Sequence, residues 1–585
     1  MKKNIFFTIL YICFMGSVLG QGFLKTDDKQ IVNEKGENVL LRGIGLGGWM
    51  LQEGYMLRLQ GTNPQYSIRN RIQNLIGPEK TSAFYDTWLS NFITRADIDS
   101  LHQWGFNSVR LPMHYNLFTL PVEEEKDSLQ QTWLTKGFQL TDSLVSWCKA
   151  NKMYLILDLH AAPGGQGNDL NIADRDLTKP SLWQSPANKA KTIALWKKLA
   201  EHYKDEPWIG AYDLLNETNW GFEDPANDLH GQKESTNKAL RELQMRITEA
   251  IRLVDKNHIV IIEGNAWGNN YKGIFPLWDN NTVISFHKYW NNNDLKSIQH
   301  MLDIRNQNSV PIWIGETGEN SNTWFADAVQ LFEENNIGWS WWPLKKIGIN
   351  NPLEIRANTD YNSLIDFWNG KTPIPPKENN AFRGLMELAA NTNISRNIFH
   401  TDVVDALLRQ PFDKSTKPFK LSVIGGKNYI INAADYDLGR NGAAYSDKDT
   451  GNYSGSTGRR GVGNRGNVYR NDGVDIFRDS SQNDAYYIGS IEDGEWLQYT
   501  VTVTKKANYR FGLFIAAISN SGIVSVNIDG NKVFTDVGIH STLGPKDWQV
   551  QSLGNVDLKK GIHVLSIYAN KGGFNCKQLM FTKSD

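Results

Sequence analysis

The chain has 585 residues, more than one hydrophobic core normally serves, so two or three domains are expected. Charged residues make up 21% of it and the formal net charge is -1, which gives no electrostatic reason to expect nucleic acid or a membrane surface as a partner. The 20 Trp, 21 Tyr and 25 Phe fit either core packing or stacking on the apolar face of a sugar ring.

The first 20 residues have the features of a secretory signal peptide. Lys2 and Lys3 form a charged start, residues 5–19 are mostly apolar, and small residues precede Gln21. The apolar run is short for a membrane anchor, and no basic cluster follows it. We therefore expect cleavage after residue 20, secretion to the medium or the periplasm, and no membrane span.

Short apolar runs alternate with segments of helical period over the first two thirds of the chain. The apolar runs are residues 39–44, 108–111, 154–159, 211–215, 258–262, 283–286, 311–314 and 338–342. The helical patterns are residues 140–152, 189–203, 236–253, 324–335, 381–390 and 401–409. Near-continuous apolar runs are typical of strands buried on both faces, so the order predicts an α/β fold, the (β/α)8 TIM barrel. The alternative, a doubly wound open sheet, would normally carry a Gly-rich loop leading into a helix. The glycines at 43, 45, 47 and 48 precede no clear helix.

The composition changes after residue 410. Residues 411–427 have the Pro, Gly and Lys content of a linker, and the following region is rich in Gly, Asn, Asp and Tyr. In residues 495–503, Trp496 falls on the face opposite Leu497 and Tyr499, the alternation of a half-buried antiparallel strand. The predicted domains are a signal peptide (1–20), a barrel (21–410), a linker (411–427) and an all-β jelly-roll sandwich (428–585). Cys148 and Cys576 fall in different domains, so no disulfide is expected.

Two glutamates end predicted barrel strands. Glu217 ends the fourth apolar run in LLNET, and Glu316 ends the seventh in IWIGETGE. The C-terminal ends of barrel strands converge on one face, where active sites form. Two carboxylates are the requirement for glycoside hydrolysis, one to protonate the leaving oxygen and one to attack the anomeric carbon. Either glutamate alone would be explained more simply as part of a structural ion pair, but the two together indicate catalysis.

Over residues 22–400 the chain resembles glycoside hydrolase family 5. The matching residues, in the family's order, are Arg110 in SVRLP, His160 in LDLH, Asn216 and Glu217 in LLNET, His287 and Tyr289 in SFHKYW, Glu316, and Trp342 in GWSWW. The resemblance implies that Glu217 is the acid/base, that Glu316 is the nucleophile and that anomeric configuration is retained. The segment LLRGIGLGGWMLQEGYM is similar to both the exo-β-1,3-glucanase branch and cellulase-like members. It implies a β-glucan substrate and leaves the linkage open.

Three of the matching residues are expected to tune the glutamates. Arg110 and Tyr289 can hold Glu316 ionised and aimed at the sugar, because a neighbouring cation stabilises a carboxylate. His287 can lie against Glu217 and keep the acidity of that carboxyl suited to proton donation.

The other matching residues are expected to contact sugar. Asn216 can donate to the 2-hydroxyl and Trp342 can form the floor of the cleavage subsite. His160 can bond a sugar hydroxyl or be a buried histidine paired with Asp158. Further sugar platforms, or core residues, are Trp49, Trp220, Trp267 and Trp290, and Glu263 and Glu319 are expected to lie behind the catalytic pair.

The C-terminal region resembles carbohydrate-binding module family 6 over residues 428–583. The matching segments are NAADYD (432–437), DGVDI (472–476), IGSIEDGEWLQY (488–499) and GGFNCKQLMF (572–581). The resemblance implies sugar binding by Asn575 at the loop-end cleft and by Trp496 on the concave face, with Tyr487 or Tyr486 as a supplementary stacking residue. Ser490 and Pro545 stand where that cleft often has two aromatics. Ala434 replaces a glutamate that often ligates a structural calcium, which leaves that calcium without one of its usual ligands.

These features together predict a secreted retaining β-glycosidase acting on a β-glucan, with no metal and no cofactor for catalysis. The chain has no HExxH, no CxxC pair and no EF-hand loop. The alternatives are a mannan- or xylan-type hydrolase, a non-catalytic glycan-binding protein and a structural surface protein. A polysaccharide is the expected partner, and modular hydrolases of a single chain are usually monomers. The long segment after the eighth run, residues 343–380, favours exo action if it walls off one end of the cleft.

Overall fold

The computed structural model describes residues 22–127, 130–449, 463–480 and 485–584. The predicted signal peptide lies outside these residues. Within the described part, no helix has the length and apolar character needed to cross a membrane.

Eight parallel strands close into a barrel after a short N-terminal hairpin, β1 (Lys25–Asp27) and β2 (Gln30–Val32). The barrel strands are β3 (Arg42–Gly45), β4 (Ser108–His114), β5 (Tyr154–Ala161), β6 (Ile209–Asp213), β7 (Ile259–Glu263), β8 (Thr282–Lys288), β9 (Ile312–Gly318) and β10 (Gly338–Trp342). They follow one another in chain order, and β10 pairs with β3 to close the ring. Each strand overlaps one predicted apolar run, and the predicted TIM barrel is confirmed.

The described residues of the barrel domain form thirteen α-helices. They are α1 (Gln65–Ile76), α2 (Pro78–Phe92), α3 (Arg95–Trp104), α4 (Thr135–Ala150), α5 (Leu170–Ala173), α6 (Pro186–Tyr203), α7 (Lys238–Arg252), α8 (Asn265–Gly268), α9 (Leu295–Asn308), α10 (Asn322–Glu334), α11 (Thr359–Trp368), α12 (Glu378–Asn391) and α13 (Thr401–Leu408). The six predicted helical segments match α4, α6, α7, α10, α12 and α13. In the unpredicted α1, Ile68, Ile72 and Ile76 recur every fourth residue and are buried, so the helical signal was present there.

The C-terminal domain consists of two six-stranded sheets packed face to face. One contains β14 (Ser422–Ile424), β16 (Tyr445–Ser446), β19 (Trp496–Val503), β21 (Ile523–Ile528), β22 (Asn531–Gly538) and β24 (Gly561–Lys571). The other contains β15 (Asn428–Asn432), β17 (Ile476–Arg478), β18 (Tyr486–Ile488), β20 (Ala507–Ala516), β23 (Gln549–Leu558) and β25 (Asn575–Lys583). After the last barrel strand, β11 (Lys345–Lys346), β12 (Leu353–Glu354) and β13 (Ile398–Phe399) form a small sheet. The predicted all-β sandwich is confirmed, and β19 buries Tyr499, Val501 and Val503 on its inner face.

The structure corrects the end of the predicted linker. Ser422–Ile424 pairs in parallel with the end of β19, so the sandwich begins inside the segment 411–427. The strand has only three residues, of which Ile424 alone is buried, and that is too short for an alternation to be recognised. Cys148 and Cys576 are both buried free thiols.

The sandwich is joined to the barrel by a buried polar contact. The Asn322 side chain at the start of α10 donates to Asp402 at 2.7 Å and to Asp472 of the sandwich at 3.0 Å. The backbone N–H of Asn471 also donates to Asp402, at 2.8 Å. At a second point, Arg440 of the sandwich forms a 2.7 Å ion pair with Asp327 of α10. Because each donor meets an acceptor across the interface, the two domains have a defined relative position.

Candidate active site

A cavity of about 820 Å3 opens at the C-terminal ends of the barrel strands. Six of the predicted barrel residues line it, namely His160, Glu217, His287, Tyr289, Glu316 and Trp342. The other two, Arg110 and Asn216, are fully buried and hydrogen-bonded to each other at 2.8 Å. The barrel therefore brings all eight residues to one place, six on the surface of the cavity and two beneath it.

Glu316 is held by one cation and one phenol. Arg110 Nη1 lies 2.5 Å from Glu316 Oε1, and the Tyr289 hydroxyl donates to Glu316 Oε2 at 3.2 Å. The guanidinium stabilises the carboxylate anion electrostatically, and the two contacts engage both of its oxygens. This arrangement presents an oriented anion to the cavity.

Glu217 lies across the cavity from Glu316 in a different environment. One carboxylate oxygen of each glutamate and a ring nitrogen of His287 lie within 4.8 Å of one another. Burial raises the pKa of Glu217 to about 7, although the adjacent His287 lowers it in part. Glu217 also has a left-handed backbone, with φ of 41°, a conformation that costs a non-glycine residue about 1–2 kcal/mol. Its side chain lines the cavity.

His287 lies between two carboxylates. Its Nδ1 is 2.5 Å from Glu217 Oε1, and its Nε2 is 3.1 Å from Glu263 Oε1. Burial, the largest single effect, lowers the pKa of His287. The carboxylates of Glu263, Glu316 and Glu217 outweigh it and raise that pKa well above the ordinary value. His287 is thus a cationic neighbour of Glu217.

Arg110 is the centre of a buried charge cluster. It contacts four carboxylates, those of Asp158, Asp213, Glu263 and Glu316, at 2.5 to 3.2 Å. Sequence reasoning missed Asp213, although a charged residue within an apolar strand was a usable signal. Glu263 lies behind the catalytic pair as expected, and it also accepts the backbone N–H of Glu217 at 2.7 Å.

His160 and Trp342 stack on each other at the cavity floor. Their ring centroids are 5.3 Å apart with an interplanar angle of 7°. His160 Nδ1 lies 2.7 Å from Asp158, and its Nε2 lies 3.3 Å from the side-chain nitrogen of Asn216. Both ring nitrogens of His160 therefore have protein partners before any sugar binds, while the Asn216 amide nitrogen keeps a second N–H donor.

The loop after β3 supplies two site residues that sequence reasoning missed. Glu53 and Tyr55 line the cavity, and the Tyr55 hydroxyl accepts from Trp342 Nε1 at 2.9 Å. Burial, together with the charges of Glu316 and Glu217, raises the pKa of Glu53 well above its usual range. A protonated Glu53 can donate to a sugar hydroxyl as well as accept from one. The two adjacent polar residues Gln52 and Glu53 in the otherwise apolar segment MLQEGYM could have indicated a site residue here.

The four predicted tryptophan platforms fall into two groups. Trp267 and Trp290 line the cavity, and Trp290 is 50% exposed. Trp49 is buried in the barrel core and donates to the Leu89 carbonyl at 2.8 Å, so it offers no free ring face. Trp220 lies beneath the Arg175 guanidinium at 4.5 Å.

The predicted module residues are dispersed over the sandwich. Asn575 donates to the Pro545 carbonyl at 2.8 Å at the loop end. Trp496 is half-buried against Tyr568, with ring centroids 5.9 Å apart. Tyr487 is only 8% exposed because Phe477 and Trp548 pack against it, so it does not present a ring to a ligand. The half-exposed Trp548, at the same end, was missed.

Among the described residues, the group of acidic and histidine side chains with metal-ligand spacing is Glu217, His287 and Glu316, which is the catalytic cluster itself. In the module, the position where the resemblance implies a calcium-binding glutamate is Ala434, which is buried and has no side-chain oxygen to ligate an ion. That position does not fit the calcium.

Family comparison agrees with this geometry. Residues 69–347 match the family model of the cellulases, glycosyl hydrolase family 5, and residues 467–583 match that of carbohydrate binding module family 6. The barrel is a glycosyl hydrolase family 5 domain. The chain is accordingly a glycosidase with an appended carbohydrate-binding module, and the glycan-binding and structural alternatives without activity are set aside.

Several curated glycosidases are similar to this chain. A β-xylosidase of Phanerodontia chrysosporium is 27% identical over 380 residues, covering 59% of this chain and 75% of that protein. Endoglucanase C of Acetivibrio thermocellus is 23% identical over 367 residues, covering 52% of this chain and 91% of that protein. A probable glucan 1,3-β-glucosidase A of Aspergillus clavatus is 26% identical over 270 residues, covering 46% of this chain and 59% of that protein.

Proposed function

We propose that the protein is a secreted retaining β-glycosidase that cleaves a β-glucan. The observation that carries the mechanism is the short separation of the two glutamates, since a carboxylate oxygen of Glu217 and one of Glu316 lie within 4.8 Å of each other. Retaining glycosidases place their carboxyl groups about 5–5.5 Å apart, whereas inverting enzymes need about 6.5–9.5 Å to admit a water molecule. The short separation supports direct attack by a carboxylate.

The reaction then has two steps. In the first, Glu217 donates its proton to the glycosidic oxygen while a Glu316 oxygen bonds to the anomeric carbon, and the leaving sugar departs with its new hydroxyl. In the second, the ionised Glu217 takes a proton from water, the water oxygen bonds to the anomeric carbon, and the bond to Glu316 breaks. Two inversions at one carbon give net retention, and no cofactor takes part.

The different surroundings of the two carboxyls support these roles. The pKa of about 7 keeps Glu217 largely protonated in mildly acidic solution, as a general acid requires. Arg110 Nη1 contacts one oxygen of Glu316 and the Tyr289 hydroxyl contacts the other, so the carboxylate is oriented for attack. Glu217 and Glu316 thus serve as acid/base and nucleophile in one cavity because the residues that contact them differ.

The choice of a β-glucan is supported by the names of two relatives, endoglucanase C and the probable glucan 1,3-β-glucosidase A. Trp267, Trp290 and Trp342 on the cavity wall are suited to stacking on the apolar faces of β-linked pyranoses. A second candidate, a xylan-type chain, is favoured by the similarity to a β-xylosidase. A xylose unit lacks the hydroxymethyl group of glucose, so subsite shape decides between them.

The decisive experiment is hydrolysis of a polysaccharide panel with resolved products. We expect the full-length protein to release gluco-oligosaccharides from laminarin, carboxymethyl cellulose or mixed-linkage glucan. We expect Glu316→Ala to abolish that release. Glu387→Ala, which changes an exposed glutamate of α12, is the matched control and should behave as wild type. Cleavage of xylan or mannan alone would contradict the β-glucan assignment.

Three further measurements complete the assignment. NMR of the first product must show the β-anomer, and an initial α-anomer would contradict retention. Early glucose or disaccharide release would indicate exo action, whereas mixed long products would indicate endo action. N-terminal sequencing of protein from the culture medium or periplasm should begin at Gln21, which would support removal of residues 1–20 on secretion.

A further inference from the structure

A second cavity, of about 320 Å3, lies where the barrel and the module meet. The barrel contributes loop residues that follow β9 and β10, among them Glu319, Asn320, Lys346 and Asn350. The module contributes the loop 463–472, which reaches the cavity through Gly463, Asn464, Asn467, Asn471 and Asp472. Neither domain alone encloses this space.

The second cavity adjoins the active-site cavity. Tyr55, Trp290 and Glu319 line both of them. The Tyr55 hydroxyl donates to Glu319 Oε1 at 3.2 Å, and Lys346 forms an ion pair with Glu319 from the far side. A polysaccharide leaving the catalytic glutamates in this direction would pass over Trp290 and enter the second cavity.

The module wall of this cavity is fixed to the barrel. The Asn471 side chain donates to the Asn320 carbonyl at 2.8 Å, and the backbone N–H of Asn322 donates to the Asn471 carbonyl at 2.9 Å. The buried Asn322 amide also bonds Asp472. These contacts lie in the same loop that lines the cavity, so the wall is held in place before a substrate binds.

The lining has the chemistry of a sugar subsite. Trp290 exposes half of its surface and can stack on a pyranose, and the Asn467 amide can both donate and accept. The Asn350 amide nitrogen donates to Glu319 at 3.4 Å, which leaves its second N–H and its oxygen for a ligand. Asn467 is exposed, and none of the described residues hydrogen-bonds its side chain, so the amide is available to a ligand. Sites that bind sugars combine a few such polar groups with an apolar platform.

We propose that loop 463–472 of the carbohydrate-binding module forms, with the barrel loops after β9 and β10, an additional subsite of the catalytic cleft. It binds sugar units several positions away from the cleaved bond. The inference rests on the proposed function, since its ligand is the distal part of the same β-glucan. It assigns the module a role in choosing substrate length, separate from the sugar-binding surfaces predicted at Asn575 and Trp496. It also gives the segment after the eighth strand a role in extending the cleft.

The test compares short and long oligosaccharides in the full-length protein. We expect wild-type kcat/KM to rise from the trisaccharide to the hexasaccharide in whichever gluco-oligosaccharide series, β-1,3 or β-1,4, it cleaves. Asn467→Gly removes the amide, and since Asn467 has φ of 48°, glycine adopts that backbone without strain. The hexasaccharide-to-trisaccharide ratio should fall about three- to tenfold, the effect of losing one hydrogen bond.

Two more variants keep the result interpretable. Asn350→Ala removes an amide from the barrel wall and should lower the same ratio. Asn531→Gly makes the matched substitution at an exposed hairpin position that lines neither cavity, and it should leave the ratio unchanged.

The proposal is overturned if Asn467→Gly and Asn350→Ala both keep the wild-type hexasaccharide-to-trisaccharide ratio, or if they lower kcat/KM equally for the two substrates. It is also overturned if the wild-type kcat/KM does not rise from the trisaccharide to the hexasaccharide. Failure of the proposed function has a different signature. In that case the wild type cleaves neither the β-1,3 nor the β-1,4 series at any length, and the proposed subsite is rejected together with the proposed function.

Discussion

Replacement of His287 by glutamine should move the alkaline limit of activity to higher pH. The general acid Glu217 must be protonated in the free enzyme, so kcat/KM falls as pH rises through its pKa, which is about 7. His287 lies 2.5 Å from that carboxyl and lowers its pKa. Removing the imidazolium removes the lowering effect, so the protonated form of Glu217 persists to higher pH.

The size of the shift follows from the contact. An opposite charge in close contact shifts a carboxyl pKa by about 1–3 units, or about 1.4–4 kcal/mol between the two protonation states. Glu217 is buried and His287 contacts it directly, so little solvent screens the pair. Glu263 and Glu316 remain nearby in the variant, and their negative charges act in the same direction by raising the Glu217 pKa.

The assay is kcat/KM as a function of pH on an oligosaccharide that the wild type cleaves. We expect the alkaline limb of His287→Gln to lie at least one pH unit, about 1.4 kcal/mol, above that of the wild type. Glu217→Gln is the control. The substrate for this control is a glycoside with an activated aryl leaving group, which departs without protonation. Because Glu217→Gln has no general acid to titrate, the rate of its first step on this substrate should not fall at alkaline pH. If the alkaline limb of the kcat/KM profile in His287→Gln stays at the wild-type pH or moves to lower pH, His287 is not the cation that lowers the pKa of Glu217.

Three other variants test the site and the interface. Arg110→Leu leaves a cluster of buried carboxylates without its cation and should lower the free energy of unfolding by about 3–5 kcal/mol in urea titration. A loss under 1 kcal/mol would contradict the buried cluster. Trp290→Ala removes a half-exposed ring from the cavity wall. It should raise KM about fivefold, the equivalent of about 1 kcal/mol of stacking, with kcat nearly unchanged. A KM equal to that of the wild type would exclude stacking on Trp290. Asn322→Ala removes the amide shared by Asp402 and Asp472, at a cost of about 1–3 kcal/mol. Calorimetry should show the module unfolding at a lower temperature than in the wild type, and an unchanged thermogram would contradict a stabilising interface.

The elements that the sequence predicted well are those specified by local pattern. Each barrel strand is an apolar run because both of its faces are buried, so all eight could be recognised without knowing their neighbours. Strand β19 was recognisable for the complementary reason, because one face is buried and the other is not. The strand Ser422–Ile424 was missed because it is stabilised by pairing with β19, and three residues carry no pattern of their own.

The sequence by itself determined that two glutamates lie near the C-terminal ends of parallel strands, one just beyond β6 and one in the last residues of β9, and so share one face of a barrel. Only the tertiary structure decided how they differ. Arg110 contacts Glu316, and His287 contacts Glu217, through residues that are far apart in the chain. Acidity depends on burial and on the charges within a few ångströms, and both arise only when the barrel closes. The same holds for Glu53 and for the docked module loop, whose positions depend on contacts across the fold that no local pattern records.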